Sequence, residues 1–179
     1  AGFQRRAFSR IFKNYNKNKS GTVICAGTGS GKTKSFYIPA FLSVIGDLIS
    51  DPSPYTKIIA VYPRNVLLAD QLREALSEIL KINESIKNED LRSITIGALF
   101  SQVPNDEKSK SINYQKEWKQ TPEGYVVPFI KSPRDSISSL IWKDQDRDNG
   151  RTVLYRENQS TPDVPNGIIS LTRDQIKKT

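Results

Sequence analysis

Residues Ala26 to Thr33 read AGTGSGKT, and their types and spacing suit the binding of a polyphosphate. A loop that wraps a row of phosphates must turn consecutive backbone N–H groups inward. Gly27, Gly29 and Gly31 permit the backbone angles and the close approach that this requires, with Thr28 and Ser30 between them. The apolar run Thr22-Val23-Ile24-Cys25 ahead of the loop is expected to be a strand. The segment from Lys34 onward is expected to be a helix, whose N-terminal end adds positive potential. In that arrangement Lys32 reaches the β- and γ-phosphates of a nucleotide, and the Thr33 hydroxyl takes a coordination position on Mg²⁺. The competing reading is a plain glycine-rich turn between a strand and a helix. Gly-Lys-Thr following an apolar strand and a glycine-rich loop favours the phosphate cradle.

Charge supports a polyanionic ligand. The chain carries a formal charge of +8, and residues 1–46 hold eight Lys or Arg (Arg5, Arg6, Arg10, Lys13, Lys17, Lys19, Lys32, Lys34) and no acid. A basic block beside a phosphate loop suits either nucleotide or nucleic-acid backbone, although lysines at 13–19 also suit a solvated loop. Several chemistries are excluded. Cys25 is the only cysteine, so an intrachain disulfide and a Cys-based zinc site are ruled out, and a small buried hydrophobe is its expected role. The chain has no histidine, which removes His-dependent acid–base catalysis and His metal sites. At 179 residues, with 36% hydrophobic and 26% charged residues, it suits one domain with a real core. No apolar run approaches the roughly 20 residues that span a bilayer. The first residues show no signal-peptide pattern, so no membrane partner and a cytoplasmic location are expected.

Ala26 stands where the strict P-loop pattern has Gly. An Ala there, followed by x-Thr-Gly-x-Gly-Lys-Thr, is similar to motif I of superfamily 2 helicases, DEAD-box proteins included. Three further features add to the resemblance. Gln4 in FQRRAF resembles the upstream glutamine with which DEAD-box proteins read the adenine edge. It lies 28 residues before Lys32, a longer interval than expected, and the polar 14–21 region can hold the excess. An amide suits adenine because it donates and accepts at once, while a solvent-facing Gln on a helix is the plain alternative. Pro39, six residues beyond Thr33, matches a proline common in the family. Finally, YPRNVLLADQ resembles motif Ia, where a strand-to-helix loop grips backbone phosphates. This implies nucleic-acid contacts from Pro63, Arg64 and Asn65. The spacing Pro63, Leu67, Asp70, Gln71 is nearer to DNA helicases such as the RecQ family than to the RNA-type PTRELA-x-Q.

The elements that would position these residues follow from periodicity. Phe3, Ala7 and Ile11, with Phe8 and Phe12 alongside, predict a helix over 2–12. Phe36, Ala40, Phe41, Val44 and Leu48 predict another over 33–49, kinked or shifted at Pro39. KIIAVY (57–62) reads as a buried strand, 66–80 as a helix, and LRSITIGALF (91–100) as a third strand bending at Gly97. Strand–helix alternation of this kind predicts an α/β fold, a parallel sheet with helices on both faces. The resemblance implies a RecA-like sheet formed by 1–100 and 166–179. Residues 101–165 are polar, proline-containing and too long for a simple loop, and are expected to form a mainly β insertion or a long loop. Strand-like runs lie at 125–130 and 151–156. Trp118 and Trp142 among Lys and Arg suit either base stacking or a small satellite core. Helicases with a Cys-based zinc site in such an insertion are known, and without cysteines only a metal-free version fits here. Residues 167–171 read as a last short strand, and Thr172-x-x-Gln175 as a capping box.

The resemblance implies an ATP-dependent helicase, a P-loop ATPase that binds ATP with Mg²⁺ and acts on nucleic acid, DNA more than RNA. It also implies motif II, an Asp-Glu pair after an apolar strand, which this sequence lacks: Asp106-Glu107 lies in polar surroundings. The expectation is an N-terminal part of a first RecA-like domain, inactive alone. Its partner would be the C-terminal continuation of its own chain, which brings motif II and a second RecA-like domain. A nucleotide kinase or other P-loop ATPase, and a nucleotide-switched binding module, remain as alternatives.

Overall fold

The computed structural model describes residues 2–15, 21–25 and 31–178. The chain forms two compact units, Ala1–Ile59 and Ala60–Thr179, and each is described by itself.

The first unit is a pair of packed helices, α1 (Gly2–Tyr15) and α2 (Lys32–Ser50). On α1, Gln4, Ala7 and Ile11 fall on one stripe at i, i+3 and i+7 and are buried or half-buried. Arg6, Arg10 and Lys13 fall on the opposite side and are exposed. Phe8 and Phe12 stack with centroids 5.8 Å apart. Helix α2 runs uninterrupted through Pro39, which is buried, and Tyr37, Val44 and Leu48 supply its apolar contacts. Two buried hydroxyls within α2 are satisfied by its own backbone. Ser35 Oγ donates to the Lys32 carbonyl at 2.6 Å and Ser43 Oγ to the Pro39 carbonyl at 2.9 Å.

In the second unit, α3 (Asn65–Ser85) buries Leu72, Ala75, Leu76 and Ile79. The strands β1 (Ile96–Gly97) and β7 (Ile169–Ser170) pair in parallel, Ile96 opposite Ile169 and Gly97 opposite Ser170. Asn83 of α3 reaches the approach to β1. Its Nδ2 donates to the Ile94 carbonyl at 2.9 Å and its Oδ1 accepts from the Ile94 N–H at 2.8 Å, as a neighbouring strand would. The connection from β1 to β7 contains a second sheet, an antiparallel meander of β2 (Lys119–Thr121), β3 (Gly124–Lys131), β4 (Ser139–Lys143), β5 (Leu154–Arg156) and β6 (Pro162–Val164). Strand β3 packs on α3. Pro128 removes a ladder donor inside β3, and the β3–β4 register shifts between Val127 and Lys131. Gly124 (φ 151°) opens β3 where a Cβ would lie 2.1 Å from the Trp142 carbonyl, so no side chain fits. Helix α6 (Arg173–Lys178) starts with half of the predicted capping box: Thr172 Oγ1 accepts from the Gln175 N–H at 3.2 Å, while Gln175 Oε1 accepts from the Leu171 N–H, one residue before the cap, at 2.8 Å.

Four expectations are corrected or decided. Of the parallel sheet, the described residues hold a single two-stranded pair, and the larger sheet is antiparallel. The runs at 22–25 and 57–62 have no strand pairing, and Val23, Ile59 and Val61 are 85%, 82% and 86% exposed. An apolar run signals a wish to be buried, but a strand also needs a neighbour for its backbone, and among the described residues neither run has one. Cys25 is accordingly exposed rather than buried. Both tryptophans are core residues: Trp118 Nε1 donates to the Gln102 carbonyl and Trp142 Nε1 to the Arg151 carbonyl, each at 2.8 Å, and Trp118 packs edge-on to Phe129. They are not available to stack bases.

Truncating Trp142 to Ala removes the largest fully buried side chain and orphans the Arg151 carbonyl. Urea unfolding of the variant is expected to show a loss of about 3–5 kcal/mol. In the turn before β4, the Ser138 hydroxyl and the Ile137 and Ser138 backbone N–H groups hold the Asp135 carboxyl below its ordinary 3.8, at about 2. Because the folded value is depressed, the turn's contribution is complete above the unfolded value and is lost as pH falls through about 2. Carboxyl NMR titration should find Asp135 ionised at pH 3, and Ser138→Ala should move its midpoint upward.

Candidate functional site

The described part of the glycine-rich segment is the start of α2. Gly31 is the N-cap residue, in the left-handed conformation with φ 74° and ψ 33°, and no side chain caps the helix. The first-turn N–H groups therefore keep the helix's positive end open, and the first turn holds Lys32 and Lys34 and no acid. The Gly31 carbonyl accepts twice, from the Ser35 N–H at 3.3 Å and from Gln4 Nε2 at 3.4 Å. A Cβ at Gly31 would lie 2.1 Å from Gln4 Nε2. The left-handed backbone angle favours glycine, and a side chain there would push the Gln4 amide aside.

Gln4 is in this way brought across 27 residues to the head of the helix that carries Lys32 and Thr33. The stripe of Gln4, Ala7 and Ile11 on α1 faces α2, so the packing of two apolar faces aims the amide. The far end of α1 is tied as well: Asn14 Nδ2 donates to Thr22 Oγ1 at 3.1 Å, just ahead of the loop. Gln4, Lys32 and Thr33 are all half-buried. Gly27, Thr28, Gly29 and Ser30 lie outside the described residues. Ser35 was not singled out by sequence reasoning. It is buried in the first turn, and its hydroxyl fixes the Lys32 carbonyl. The signal available was only a small polar residue three positions after Lys32.

Pro63, Arg64 and Asn65 belong to the other unit, at the start of α3, and all three are exposed. Arg64 is the N-cap residue in extended conformation (φ −139°, ψ 140°), and again no side chain caps the helix. Its carbonyl accepts from the Leu68 N–H at 2.9 Å, while Asn65 Nδ2 donates to Ser101 Oγ at 3.2 Å. The result is an open helix N-terminus flanked by an exposed guanidinium, an arrangement suited to a backbone phosphate. Asp70 is exposed and pairs with Arg73 at 3.4 Å, and Gln71 is half-buried.

Elsewhere, the Asp106-Glu107 pair has structural partners. Asp106 Oδ1 accepts from the Lys108 N–H at 2.9 Å, and Glu107 Oε1 accepts from Gln175 Nε2 at 3.2 Å. Among the described residues no group of three His, Cys, Asp or Glu side chains is arranged to hold a metal ion, and no helix is long and apolar enough to cross a membrane.

Comparison with known proteins adds one result. A family model, DEAD/DEAH box helicase, matches residues 2–123. No curated protein and no solved structure matches the chain. The matched region takes in Gln4, the glycine-rich loop, Lys32, Thr33 and the start of α3, and is more than half the sequence. With Gln4 held against Gly31 at the head of a lysine-bearing helix, and an uncapped second helix N-terminus following Pro63, the chain belongs to the DEAD/DEAH box helicase family.

Proposed function

We propose that this chain is the ATP-binding portion of an ATP-dependent helicase or translocase that acts on DNA. The observation that carries the reading is the hydrogen bond from Gln4 to Gly31. It fixes one N–H of the amide and leaves the other N–H and the carbonyl oxygen for a ligand. Adenine presents a donor and an acceptor, N6 and N7, that match such a pair, whereas guanine presents two acceptors there. The uncapped start of α2, Lys32 and Thr33 fit a triphosphate, and so does the absence of acid from residues 1–46. Thr33 would hold Mg²⁺, which supplies charge neutralisation at the phosphates when bound. Lys32 and Thr33 are the residues assigned to the phosphate end, Gln4 to the base, and Gly27, Thr28, Gly29, Ser30 and Gly31 to the loop between.

Pro63, Arg64 and Asn65 form the proposed grip on a nucleic-acid strand, supported by exposure and by the open α3 N-terminus. The DNA-helicase spacing of Pro63, Leu67, Asp70 and Gln71 favours DNA. In this reading β1 and β7 are two strands of a RecA-like sheet, and the antiparallel meander is an insertion in the crossover between them. Hydrolysis needs an Asp-Glu pair behind an apolar strand. The chain's Asp106 and Glu107 are committed to the Lys108 N–H and to Gln175, so ATP is bound and not turned over.

Titration calorimetry with Mg-ATP should detect binding that Lys32→Ala abolishes, with no phosphate release from the wild-type chain. Absence of any ATP binding would overturn the reading, and phosphate release that disappears in Lys32→Ala would overturn the inactivity. Gln4→Ala should erase most of the preference for ATP over GTP, a loss of roughly 5- to 100-fold from a bidentate contact. Gly31→Ala displaces the amide and also strains the loop at φ 74°, so it should lower ATP affinity together with the preference, and competition between single-stranded DNA and RNA oligonucleotides should favour DNA.

A further inference from the structure

Helix α1 has a second face that the nucleotide reading does not use. Arg6, Arg10 and Lys13 follow one another at i, i+4 and i+7, and Arg5 flanks them; all four are exposed. Among the described residues none of these four side chains has an ion pair or a hydrogen bond, although ion pairs are frequent in the second unit. The Arg6 guanidinium lies back along the strip, with Nη1 3.3 Å from where a Cβ at Gly2 would stand. The three-residue row spans about 10 Å along the helix axis. Like charges at i, i+4 repel, so an unrelieved row of this kind destabilises the helix that carries it. The unit Ala1–Ile59 contains nine Lys or Arg against two acids, Asp47 and Asp51, so nothing nearby in sequence relieves it.

We propose that the Arg6–Arg10–Lys13 face of α1 is a docking strip for the phosphate backbone of a nucleic-acid strand, distinct from the Pro63–Asn65 loop. The choice of nucleic acid over other polyanions rests on the helicase reading and on a structural point. A membrane-surface helix needs an apolar face free to enter the lipid. The apolar stripe of α1 is instead turned toward α2, with Ala7 buried and Ile11 half-buried. Outward α1 offers a row of charge, with Phe12, half exposed and stacked on Phe8, beside it; a single aromatic is too little apolar surface to seat a helix in lipid, and the charge suits a backbone contact that is electrostatic and independent of sequence.

The test uses the full chain and a fluorescent 20-nucleotide single strand, as DNA and as RNA, with anisotropy measured from 50 to 200 mM salt. The triple variant Arg6→Ala/Arg10→Ala/Lys13→Ala changes only exposed positions, to the residue of highest helix propensity, so the fold is kept. Its binding should weaken roughly tenfold, and the slope of log K against log salt should become shallower by about 2, three phosphate contacts at ~0.7 each. The double variant Arg6→Lys/Arg10→Lys should keep the wild-type slope, because a phosphate accepts either charge. Mg-ATP binding, read by calorimetry on the same samples, should not be weakened in either. An unaltered slope in the triple variant, or no strand binding by the wild type at 50 mM salt, overturns the proposal. So does face-dependent binding to vesicles of anionic phosphatidylserine without strand binding. Face-dependent strand binding by a chain that fails to bind ATP would sink the nucleotide assignment and leave this strip standing.

Discussion

A β-strand cannot satisfy its own backbone; every N–H and C=O along it must find a partner on a neighbouring strand, a side chain or water. That constraint sorts most of this chain. The meander β2 to β6 is self-sufficient, because each strand pairs with the next in sequence, and there the largest side chains are fully buried: Tyr125, Leu140, Trp142 and Leu154. The parallel pair β1–β7 must wait for a crossover of some seventy residues to return, and it is only two residues long on each side. Asn83 adds to it by offering a carboxamide to Ile94 in place of a backbone. The equally apolar runs at 22–25 and 57–62 find no strand among the described residues and remain exposed.

Helices do not face that constraint, since their bonds close within the segment, and so the first unit is built from them. The consequence for the site is direct. Its geometry is set by how α1 lies on α2, and a long-range polar contact that results, Gln4 to Gly31, depends on a residue with no side chain. Placing any Cβ at position 31 evicts the amide and strains the backbone at once. The same glycine therefore serves the helix cap and the placement of the Gln4 amide.

What could be read from the sequence follows the same division. Helices were legible because their period is local: Phe3, Ala7 and Ile11 announced α1, and Leu72, Ala75, Leu76 and Ile79 announced α3. Gly-Lys-Thr and Gln4 made the family legible, because its model matches the region that carries them. The strand-like runs in 125–130 and 151–156 were visible, but the order of the meander was not, since pairing is a relation between distant residues. Cys25 and the run 57–62 misled because hydrophobicity reports a preference for burial and not the availability of a neighbour. Trp118 and Trp142 were ambiguous in sequence, where lysines adjoin them; only the strand register shows that Trp142 points inward while Lys143 beside it pairs with Glu123 at 3.0 Å.

The two faces of α1 tie these strands of argument together. A helix of 14 residues in isolation is marginal, and one carrying a row of unrelieved cations is worse, so α1 persists because its other face packs on α2. Packing on α2 is also what carries Gln4 to Gly31. Anything that neutralises Arg6, Arg10 and Lys13 removes a repulsion that opposes the helix, and so favours the state in which Gln4 is held at the head of α2. A polyanion on the outer face and a nucleotide on the inner face would then stabilise the same conformation of one short helix. Two ligands that favour one conformation help each other bind, and by thermodynamic reciprocity they do so to the same degree in both directions.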